Sequence, residues 1–277
     1  MRVGVGLPTT TPGADGALVV EWARRAEAGP FSSLGVLDRL LYDSYDPFTA
    51  LAAAAAVTQD IKLATMIAIG PLRPTAALVK HAASVQALCR GRLTLGLAVG
   101  AREDDYAVAE VPHKGRGARL SDQLAELRDW DANPVVPGTI RAQRPELLVG
   151  GMAGAAFARM ARYGDGYAHG GGPPRAFASA AAKALAAWSD LGRPGRPALW
   201  GQAYFALGDE EAGEAYLLDY YAFTGPFAAK IAAGNLTSPR AVRDFVRAYE
   251  EAGCDELVLL PTVADLGQLE RLAEVLA

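Results

Sequence analysis

The sequence has few of the residues that commonly bind metal ions or form disulfides. Among its 277 residues are two cysteines and three histidines, and Cys89 and Cys254 lie far apart and outside any CxxC pair. Disulfide frameworks and zinc sites need closely spaced cysteines and histidines. We therefore expect no structural disulfide and no bound metal ion.

Signals for a membrane or for nucleic acid are also missing. No window approaches the roughly 20 apolar residues of a membrane span, and the first residues, MRVGVGLPTTTPG, lack the pattern of a signal peptide. The formal net charge of −4 supplies no basic surface for nucleic acid. We expect a cytoplasmic protein with neither a membrane nor a nucleic-acid partner.

Motifs of several enzyme classes are absent as well. The chain has no GxSxG motif of a serine hydrolase and no HExxH motif of a zinc protease. It also has no lysine placed at a strand end for a Schiff base, and no pair of carboxylates at adjacent strand ends. Few side chains are therefore available for catalysis by the protein alone.

What the sequence does have is a regular alternation of short apolar runs and longer amphipathic runs. Near-continuous apolar runs are typical of strands buried on both faces, and the amphipathic runs are typical of helices. About eight such units predict a (βα)8 TIM barrel, with a doubly wound open sheet as the alternative. The predicted strands are Arg2–Leu7, Ser33–Asp38, Lys62–Ile67, Leu93–Gly100, Glu146–Gly151, Gly166–Gly170, Trp200–Leu207 and Glu256–Pro261.

Two segments depart from this alternation. Asp131–Arg144 is rich in proline and predicts a connector, and the segment around 208–238 predicts helix broken at Thr224-Gly225-Pro226. Long insertions between barrel elements commonly cover the active site. We therefore expect a single domain over residues 1–277 with a lid around 208–238. In that lid Tyr220 and Tyr221 either cover the substrate or belong to the core.

Glycines end two successive predicted strands. Gly150 and Gly151 precede a helix that opens near Ala153, and Gly170–Gly172 follow the next strand. Free N–H groups and the positive end of a helix bind anions such as phosphate, although a tight turn that needs a positive φ also favours glycine. The two glycine clusters together favour a phosphate-bearing ligand. A cofactor that brings its own chemistry would explain why catalytic side chains are scarce.

Several stretches, in this order, resemble the bacterial luciferase-like superfamily. They are GVLD ending in Asp38, AAVTQDIKLAT, GRLTLGLAVG with the loop after it, and the VGG…A…YGDGY pair, together spanning roughly Arg2 to Gly171. The final third matches more loosely through EEAGCDELVLLP. The resemblance implies a barrel that holds a reduced flavin or deazaflavin at its C-terminal mouth. Family members include monooxygenases that use FMNH2 and O2, hydride-transfer enzymes that use coenzyme F-420, and flavin-binding proteins without known catalysis.

The resemblance also implies where the cofactor binds. Asp38 would lie near the ring, and Met66 and Ile67 would form a strand bulge behind it, which in many members contains a non-prolyl cis peptide. The glycine-rich turn would take the phosphate, which accounts for the glycines there. The implied cofactor-binding residues are Asp38, Met66, Ile67, Val99, Gly100, Arg102, Gly150, Gly151, Ala153, Gly154 and Gly170.

Arg39 departs from the family pattern, in which a histidine that donates or stabilises a proton often follows the aspartate. Arginine cannot act as a general acid near neutral pH. Arg39 is therefore expected to bind an anionic substrate or the charge of the reduced ring, or else to pair with Asp38 or Asp43. His169, at the sixth strand end, is a candidate proton donor because it titrates near neutrality, with a buried structural role as the alternative. Asp38, Arg39 and His169 are the candidate catalytic residues.

The choice between FMN and F-420 depends on weaker signals. F-420 has a longer acidic tail, which needs basic side chains to bind it where it leaves the pocket. The candidates for these side chains are Arg73, Arg102, Lys114, Arg116 and Arg175. In the loop GAREDDY (Gly100–Tyr106), Arg102 either contacts a cofactor or substrate anion or lies in a solvated loop. Compact chains rich in Ala, Arg and Gly resemble F-420 users slightly more than oxygenases. We therefore favour an oxidoreductase that uses F-420 for hydride transfer to or from a small organic substrate.

Three other functions remain open. One is an FMNH2/O2-dependent monooxygenase served by a separate flavin reductase, and another is a non-catalytic flavin-binding protein. The third is a cofactor-free lyase or isomerase that acts on a phosphorylated metabolite through His169 and Asp38. The resemblance also implies a homodimer.

Overall fold

The computed structural model describes all residues from Met1 to Ala277, and its centre is a closed barrel of eight parallel strands. The strands follow one another around the barrel in chain order, and the pairing of the last strand with the first closes it. The predicted (βα)8 barrel is therefore confirmed, and the open-sheet alternative is wrong. The strands are β1 Arg2–Gly6, β2 Ser33–Val36, β3 Lys62–Ile69, β4 Leu93–Ala98, β5 Glu146–Gly150, β6 Gly166–Ala168, β7 Ala198–Phe205 and β8 Glu256–Pro261.

Helices surround the barrel and connect its strands. They are α1 Gly16–Ala28, α2 Pro47–Ala55, α3 Thr75–Leu88, α4 Glu103–Val108, α5 Arg116–Arg128, α6 Gly154–Tyr163, α7 Pro174–Asp190, α8 Glu210–Tyr220, α9 Phe227–Ala232, α10 Pro239–Glu251 and α11 Leu266–Leu276, with 3-10 turns at Gly70–Leu72, Gly138–Ile140 and Ala222–Thr224. The side chains of Asp15, Asp46 and Ser238 accept hydrogen bonds from N–H groups in the first turns of α1, α2 and α10. Each such cap contributes about 1 kcal/mol to stability. No helix is both long enough and apolar enough to span a bilayer.

The apolar side chains pack in two layers. Trp22 and Phe177 belong to the layer between the strands and the surrounding helices. Met66, Trp200 and Tyr216 belong to the layer that fills the barrel and continues beneath the segment 208–238. Full burial of a large apolar side chain contributes roughly 1.5–3 kcal/mol. Because side chains fill the barrel interior, a ligand must bind at an end of the barrel and not inside it.

The segment 208–238 packs against the C-terminal end of the barrel. It contains α8 and α9, and the break between them includes Gly225 with a φ of +59°. The Tyr216 hydroxyl lies 2.6 Å from the Thr10 hydroxyl, and the Tyr204 and Tyr221 hydroxyls lie 2.7 Å apart. These hydrogen bonds fasten the segment to the loop after β1 and to β7. Its role as a lid remains a prediction.

Several predicted bounds differ from the structure at the C-terminal ends of strands. β2 ends at Val36 and not at Asp38, because its pairing with β3 stops at Val36. β7 is shifted toward the N-terminus by two residues, to Ala198–Phe205. The GAREDDY segment is a loop only at residues 100–102, since residues 103–108 form α4. Three acidic residues in the first turn of α4 interact favourably with the positive end of the helix dipole.

Candidate functional site

Asp38 lies just beyond β2, and its side chain is 2% exposed. The carboxylate accepts hydrogen bonds from the Ile69 backbone N–H at 2.7 Å and from the Arg73 guanidinium at 2.6 and 3.1 Å. Arg73 also donates to Asp46 at 3.0 Å. Burial alone would lower the pKa of Arg73. The hydrogen bonds and ion pairs with Asp38 and Asp46 have the larger effect, so the pKa of Arg73 is raised above its ordinary value. Both oxygens of Asp38 are therefore engaged by the protein, which favours a positioning role over proton transfer.

The C-terminal part of β3 has the bulge that the resemblance implied. The peptide bond between Met66 and Ile67 is cis, and the pairing of β3 with β4 shifts register between Thr65 and Ala68. Met66 is fully buried in the barrel interior. Ile67 is half-buried and reaches across to β5, where a Cβ on Gly150 would lie 2.3 Å from Ile67 Cδ1. Packing against Ile67 therefore accounts for glycine at position 150.

The loop after β4 is fixed by contacts within the protein. The Val99 carbonyl accepts a hydrogen bond from the Tyr106 hydroxyl at 2.5 Å. Gly100 has a φ of +68°, and a Cβ there would lie 2.8 Å from Ile69 Cγ2. The Arg102 guanidinium pairs with Asp104 and lies 4.6 Å from the ring centroid of Phe223. Arg102 therefore connects this loop to the insertion segment.

The turn between β5 and α6 has unpartnered backbone N–H groups. The N–H groups of residues 151–155 donate no hydrogen bond within the protein, and residues 152–155 are exposed. Gly151 has a φ of +126°, and a Cβ there would lie 2.9 Å from Ala156 Cβ, whereas a Cβ on Gly154 would meet nothing within 4 Å. The Tyr167 hydroxyl donates to the Gly151 carbonyl at 3.1 Å. This turn, which includes Ala153, can donate several hydrogen bonds to one anion.

The glycines after β6 have two different explanations. Gly171 and Gly172 have φ values of +98° and +119°, which glycine adopts at little cost. Gly170 has no such φ, and a Cβ there would meet nothing within 4 Å. Neither the backbone nor the packing therefore requires glycine at position 170, and its missing side chain leaves space beside the turn.

Arg39 is buried between two aromatic rings. Its guanidinium lies 4.9 Å from the Tyr42 ring centroid and 5.0 Å from that of Tyr220. It donates hydrogen bonds to the Leu41 carbonyl at 3.1 Å and to the Tyr220 carbonyl at 3.3 Å. Its ion pair is with Asp105, with 3.4 Å between Nε and Oδ2.

The expected pairing of Arg39 with Asp38 or Asp43 is therefore wrong. Asp38 is bonded to Arg73 instead, and the carboxylate that pairs with Arg39 comes from α4. Arg39 pairs with an aspartate that lies 66 positions later in the chain, and not with either of the two aspartates near it in the sequence.

Asp105 is a site residue that the sequence patterns did not single out. It is fully buried, and its Oδ1 accepts hydrogen bonds from the backbone N–H groups of Leu40 at 3.2 Å and Leu41 at 2.7 Å. The carboxylate thereby ties the loop after β2 to α4. A buried aspartate within an acidic run has no distinct sequence signal, because such runs are usually solvated.

A cavity of about 150 Å³ opens between these elements at the C-terminal mouth. It brings together charged groups from the loops after β2 and β4 and aromatic rings from the insertion. The lining residues are Asp38, Arg39, Ile69, Ala101, Arg102, Asp105, Tyr220, Tyr221 and Phe223. Burial raises the pKa values of Tyr220 and Tyr221, so both phenols are neutral at neutral pH.

His169 does not line this cavity. It is buried, and its ring centroid lies 5.7 Å from that of Phe177 in α7 and 6.3 Å from that of Tyr167. Burial lowers the pKa of His169. Its ring nitrogens form no hydrogen bond with Asp38. This placement favours the buried structural role over proton donation.

Of the five cations considered for an acidic tail, three are committed to other contacts. Arg73 binds Asp38 and Asp46, Arg102 binds Asp104, and Arg116 binds the carbonyl of His113. Lys114 and Arg175 are exposed, and neither forms an ion pair. Arg175 lies in the first turn of α7, three residues after Gly172.

The fold and the sequence together place this chain in a known family. It belongs to the luciferase-like monooxygenase family, whose model matches residues 1–240. An uncharacterised protein of Mycobacterium tuberculosis is 30% identical over 195 residues, which cover 58% of this chain and 67% of that protein. A second uncharacterised protein of that species is 34% identical over 83 residues, or 30% of this chain and 29% of its own length.

Solved structures share the fold at low sequence identity. The monooxygenase RslO1 from Streptomyces bottropensis superposes with a TM-score of 0.78 at 20% identity, covering 99% of this chain and 97% of that one. An F-420-dependent secondary alcohol dehydrogenase, in complex with an F-420–acetone adduct, gives 0.77 at 15% identity, with coverage of 99% and 97%. The oxygenating constituent of 3,6-diketocamphane monooxygenase from Pseudomonas putida, in complex with FMN, gives 0.75 at 15% identity, with coverage of 100% and 96%.

Proposed function

We propose that this protein is an oxidoreductase that holds a reduced flavin or deazaflavin at its C-terminal mouth and acts on a small organic molecule in the cavity beside Arg39. The observation that carries the proposal is the row of unpartnered N–H groups at residues 151–155. This row lies at the same end of the barrel as the cavity, because both follow the carboxyl ends of parallel strands.

The residues at this end fit such a cofactor. The N–H groups of residues 151–155 would hold its phosphate, and the open space at Gly154 and Gly170 would admit the chain next to the phosphate. Ile67, Val99 and Gly100 would border the ring. When bound, the cofactor supplies hydride transfer or, with O2, oxygen transfer.

Arg39 would stabilise negative charge and would not act as a general acid. Its guanidinium stays protonated near neutral pH, so it can stabilise negative charge but cannot deliver a proton. Asp38 would hold the end of β3 and Arg73 in place, through the hydrogen bonds described above. The protein would thereby bind and orient the cofactor and the substrate.

F-420 is the cofactor that we favour. Its acidic tail extends beyond the phosphate, and Lys114 and Arg175 are exposed cations without ion-pair partners on this face. Arg175 follows the glycines after β6, in the first turn of α7. The second candidate is an FMNH2/O2-dependent monooxygenase with a separate reductase. Its support is the family description together with the fold shared with an FMN-bound monooxygenase.

Replacing both Lys114 and Arg175 by alanine tests this preference. Two exposed charge pairs contribute up to about 1 kcal/mol each, so we expect F-420 affinity to fall about threefold to tenfold at low salt. FMN affinity should stay within about twofold, because FMN has no acidic tail to reach these cations. Equilibrium dialysis measures the affinities for F-420 and for FMN. The matched control is Lys183→Ala, because Lys183 is an exposed lysine within α7. Equal losses for the two cofactors would contradict the assignment of these cations to the tail.

A further inference from the structure

Three cations near the turn between β5 and α6 have no carboxylate partner. Arg159 lies in α6, Lys114 lies just before α5, and Arg116 begins α5. The one ion pair of the loop before α5 joins His113 to Glu103, whose side chain is 83% exposed. A cation that no carboxylate neutralises attracts an anion, and more strongly where burial lowers the effective dielectric. This part of the surface is therefore suited to an acidic ligand.

Arg159 keeps one terminal nitrogen free. Its Nε donates to the Ser121 hydroxyl at 3.1 Å, and its Nη2 donates to the Gly117 carbonyl at 3.0 Å. Its Nη1 forms no hydrogen bond within the protein and is open to solvent. Burial lowers the pKa of Arg159, and no carboxylate opposes this effect. The guanidinium nevertheless stays protonated near neutral pH, so Nη1 can donate to a bound anion.

Arg159 lies one helical turn beyond the predicted phosphate position. Ala155 carries the last of the unpartnered N–H groups of residues 151–155. Residues four apart in a helix are neighbours on one face, and helical side chains tilt toward the N-terminus of their helix. The bond from Arg159 to the Gly117 carbonyl shows that this face of α6 is turned toward α5. A ligand that extends from the turn toward α5 therefore meets Arg159 first.

The start of α5 adds two further free donors. Arg116 donates from Nη1 to the His113 carbonyl at 3.3 Å, whereas its Nη2 forms no hydrogen bond and is open to solvent. Lys114 is exposed, and its ammonium group has no partner. Arg119 holds the loop in place by donating to the carbonyls of Pro112 and Lys114. A loop that is already fixed loses little entropy when it binds a ligand.

The two sides of the turn differ in positive charge. α6 packs between α5 and α7, so a ligand held at the turn can extend toward either helix. The α5 side has Lys114, Arg116 and Arg159, and the α7 side has Arg175 in the first turn of α7. A chain with several carboxylates can engage all three cations of the α5 side, whereas a single phosphate is already satisfied by the N–H groups of the turn.

We propose that the surface formed by Lys114, Arg116 and Arg159 binds the lactyl-glutamyl tail of F-420 where the tail leaves the phosphate. Carboxylates of the tail accept hydrogen bonds from Arg159 Nη1, Arg116 Nη2 and the Lys114 ammonium group. The protein consequently binds F-420 with a long tail more tightly than F-420 with a short one. This inference rests on the proposed function, because it names the place of the tail of the same cofactor.

Equilibrium dialysis with deazaflavins of different tail length tests the proposal. The probes are the deazaflavin phosphate without a tail, F-420 with a single glutamate, and F-420 with a long oligoglutamate tail, with FMN alongside. We expect affinity to rise about tenfold from the first probe to the last, since several partly exposed charge pairs are added. The gain should shrink at high salt, because salt screens interactions between exposed charges.

Two variants separate the tail from the phosphate. Arg159→Ala and Lys114→Glu should each weaken long-tailed F-420 about tenfold and leave FMN and the tail-less phosphate within about twofold. Lys114→Glu guards against a packing effect, because the Lys114 side chain is exposed and forms no contact with α6. Arg162→Ala is the matched control, since Arg162 is exposed in the last turn of the same helix, away from the mouth. It should leave the affinities for all four probes unchanged.

Three results would overturn the proposal. Affinity independent of tail length would show that the tail is unbound, and equal losses of FMN and F-420 in Arg159→Ala would place Arg159 at the phosphate. A larger loss in Arg175→Ala than in either variant of the α5 side would place the tail beside α7. In all three cases a cofactor still binds, so the oxidoreductase proposal stands. If neither F-420 nor FMN binds, the oxidoreductase proposal is wrong as well.

Discussion

Replacing Gly151 by valine is expected to weaken the binding of both F-420 and FMN by about a hundredfold. Gly151 has a φ of +126°, where a β-branched residue is strongly disfavoured, and a Cβ there would lie 2.9 Å from Ala156 Cβ. The turn must therefore move, and the N–H groups of residues 151–155 move with it. Loss of two charge-assisted hydrogen bonds of about 1.5 kcal/mol each accounts for this factor. Affinity is measured by titration of the purified variant.

Gly192→Val is the matched control for backbone strain. Gly192 has a φ of +67° and open space around it, and it lies just after α7, away from the predicted phosphate position. Each substitution should lower the free energy of unfolding by about 1–3 kcal/mol, but only Gly151→Val should lower cofactor affinity. Unchanged affinity in Gly151→Val would show that the phosphate binds elsewhere.

Replacing Asp38 by alanine is expected to lower the free energy of unfolding by about 3–5 kcal/mol, as when one partner of a buried ion pair is removed. The substitution removes the acceptor of the Ile69 N–H and two of the hydrogen bonds of Arg73, whose side chain is 13% exposed. The end of β3 would lose its anchor next to the cavity. Urea denaturation followed by circular dichroism measures the loss.

Asp46→Ala provides the comparison, because Asp46 pairs with the same arginine. Its side chain is 42% exposed, and it also caps α2. Loss of the cap and of a partly exposed pair should together cost about 1–2 kcal/mol. If Asp38→Ala were no more destabilising than Asp46→Ala, the positioning role of Asp38 would be wrong.

The regular part of the fold could be predicted because it depends on local patterns. The bounds predicted for β8, Glu256–Pro261, are those observed, since a run buried at every position ends sharply on both sides. The cis bulge at Met66-Ile67 followed from the family resemblance and not from any pattern in the residues. Strand ends were less accurate where side chains leave the sheet to form the site, as at Asp38.

The pairings within the site could not be predicted, because they join residues far apart in the chain. Asp105 bonds the Leu41 N–H across 64 positions, and Arg73 bonds Asp38 across 35. Charge at these positions is visible in the sequence, but the partner of each charge is decided by tertiary packing. For the same reason His169 was a reasonable candidate at a strand end, although its ring packs against Phe177 and outside the cavity.

The most direct test of the proposed function is a titration of the purified protein with F-420 and FMN in parallel, followed by quenching of intrinsic tryptophan fluorescence. We expect saturable binding of at least one cofactor at micromolar or lower Kd, with F-420 the tighter. Tighter binding of FMN would identify an oxygenase that depends on a reductase. Binding of neither would contradict the central claim, and the glycines at residues 150–154 would then serve only the turn between β5 and α6.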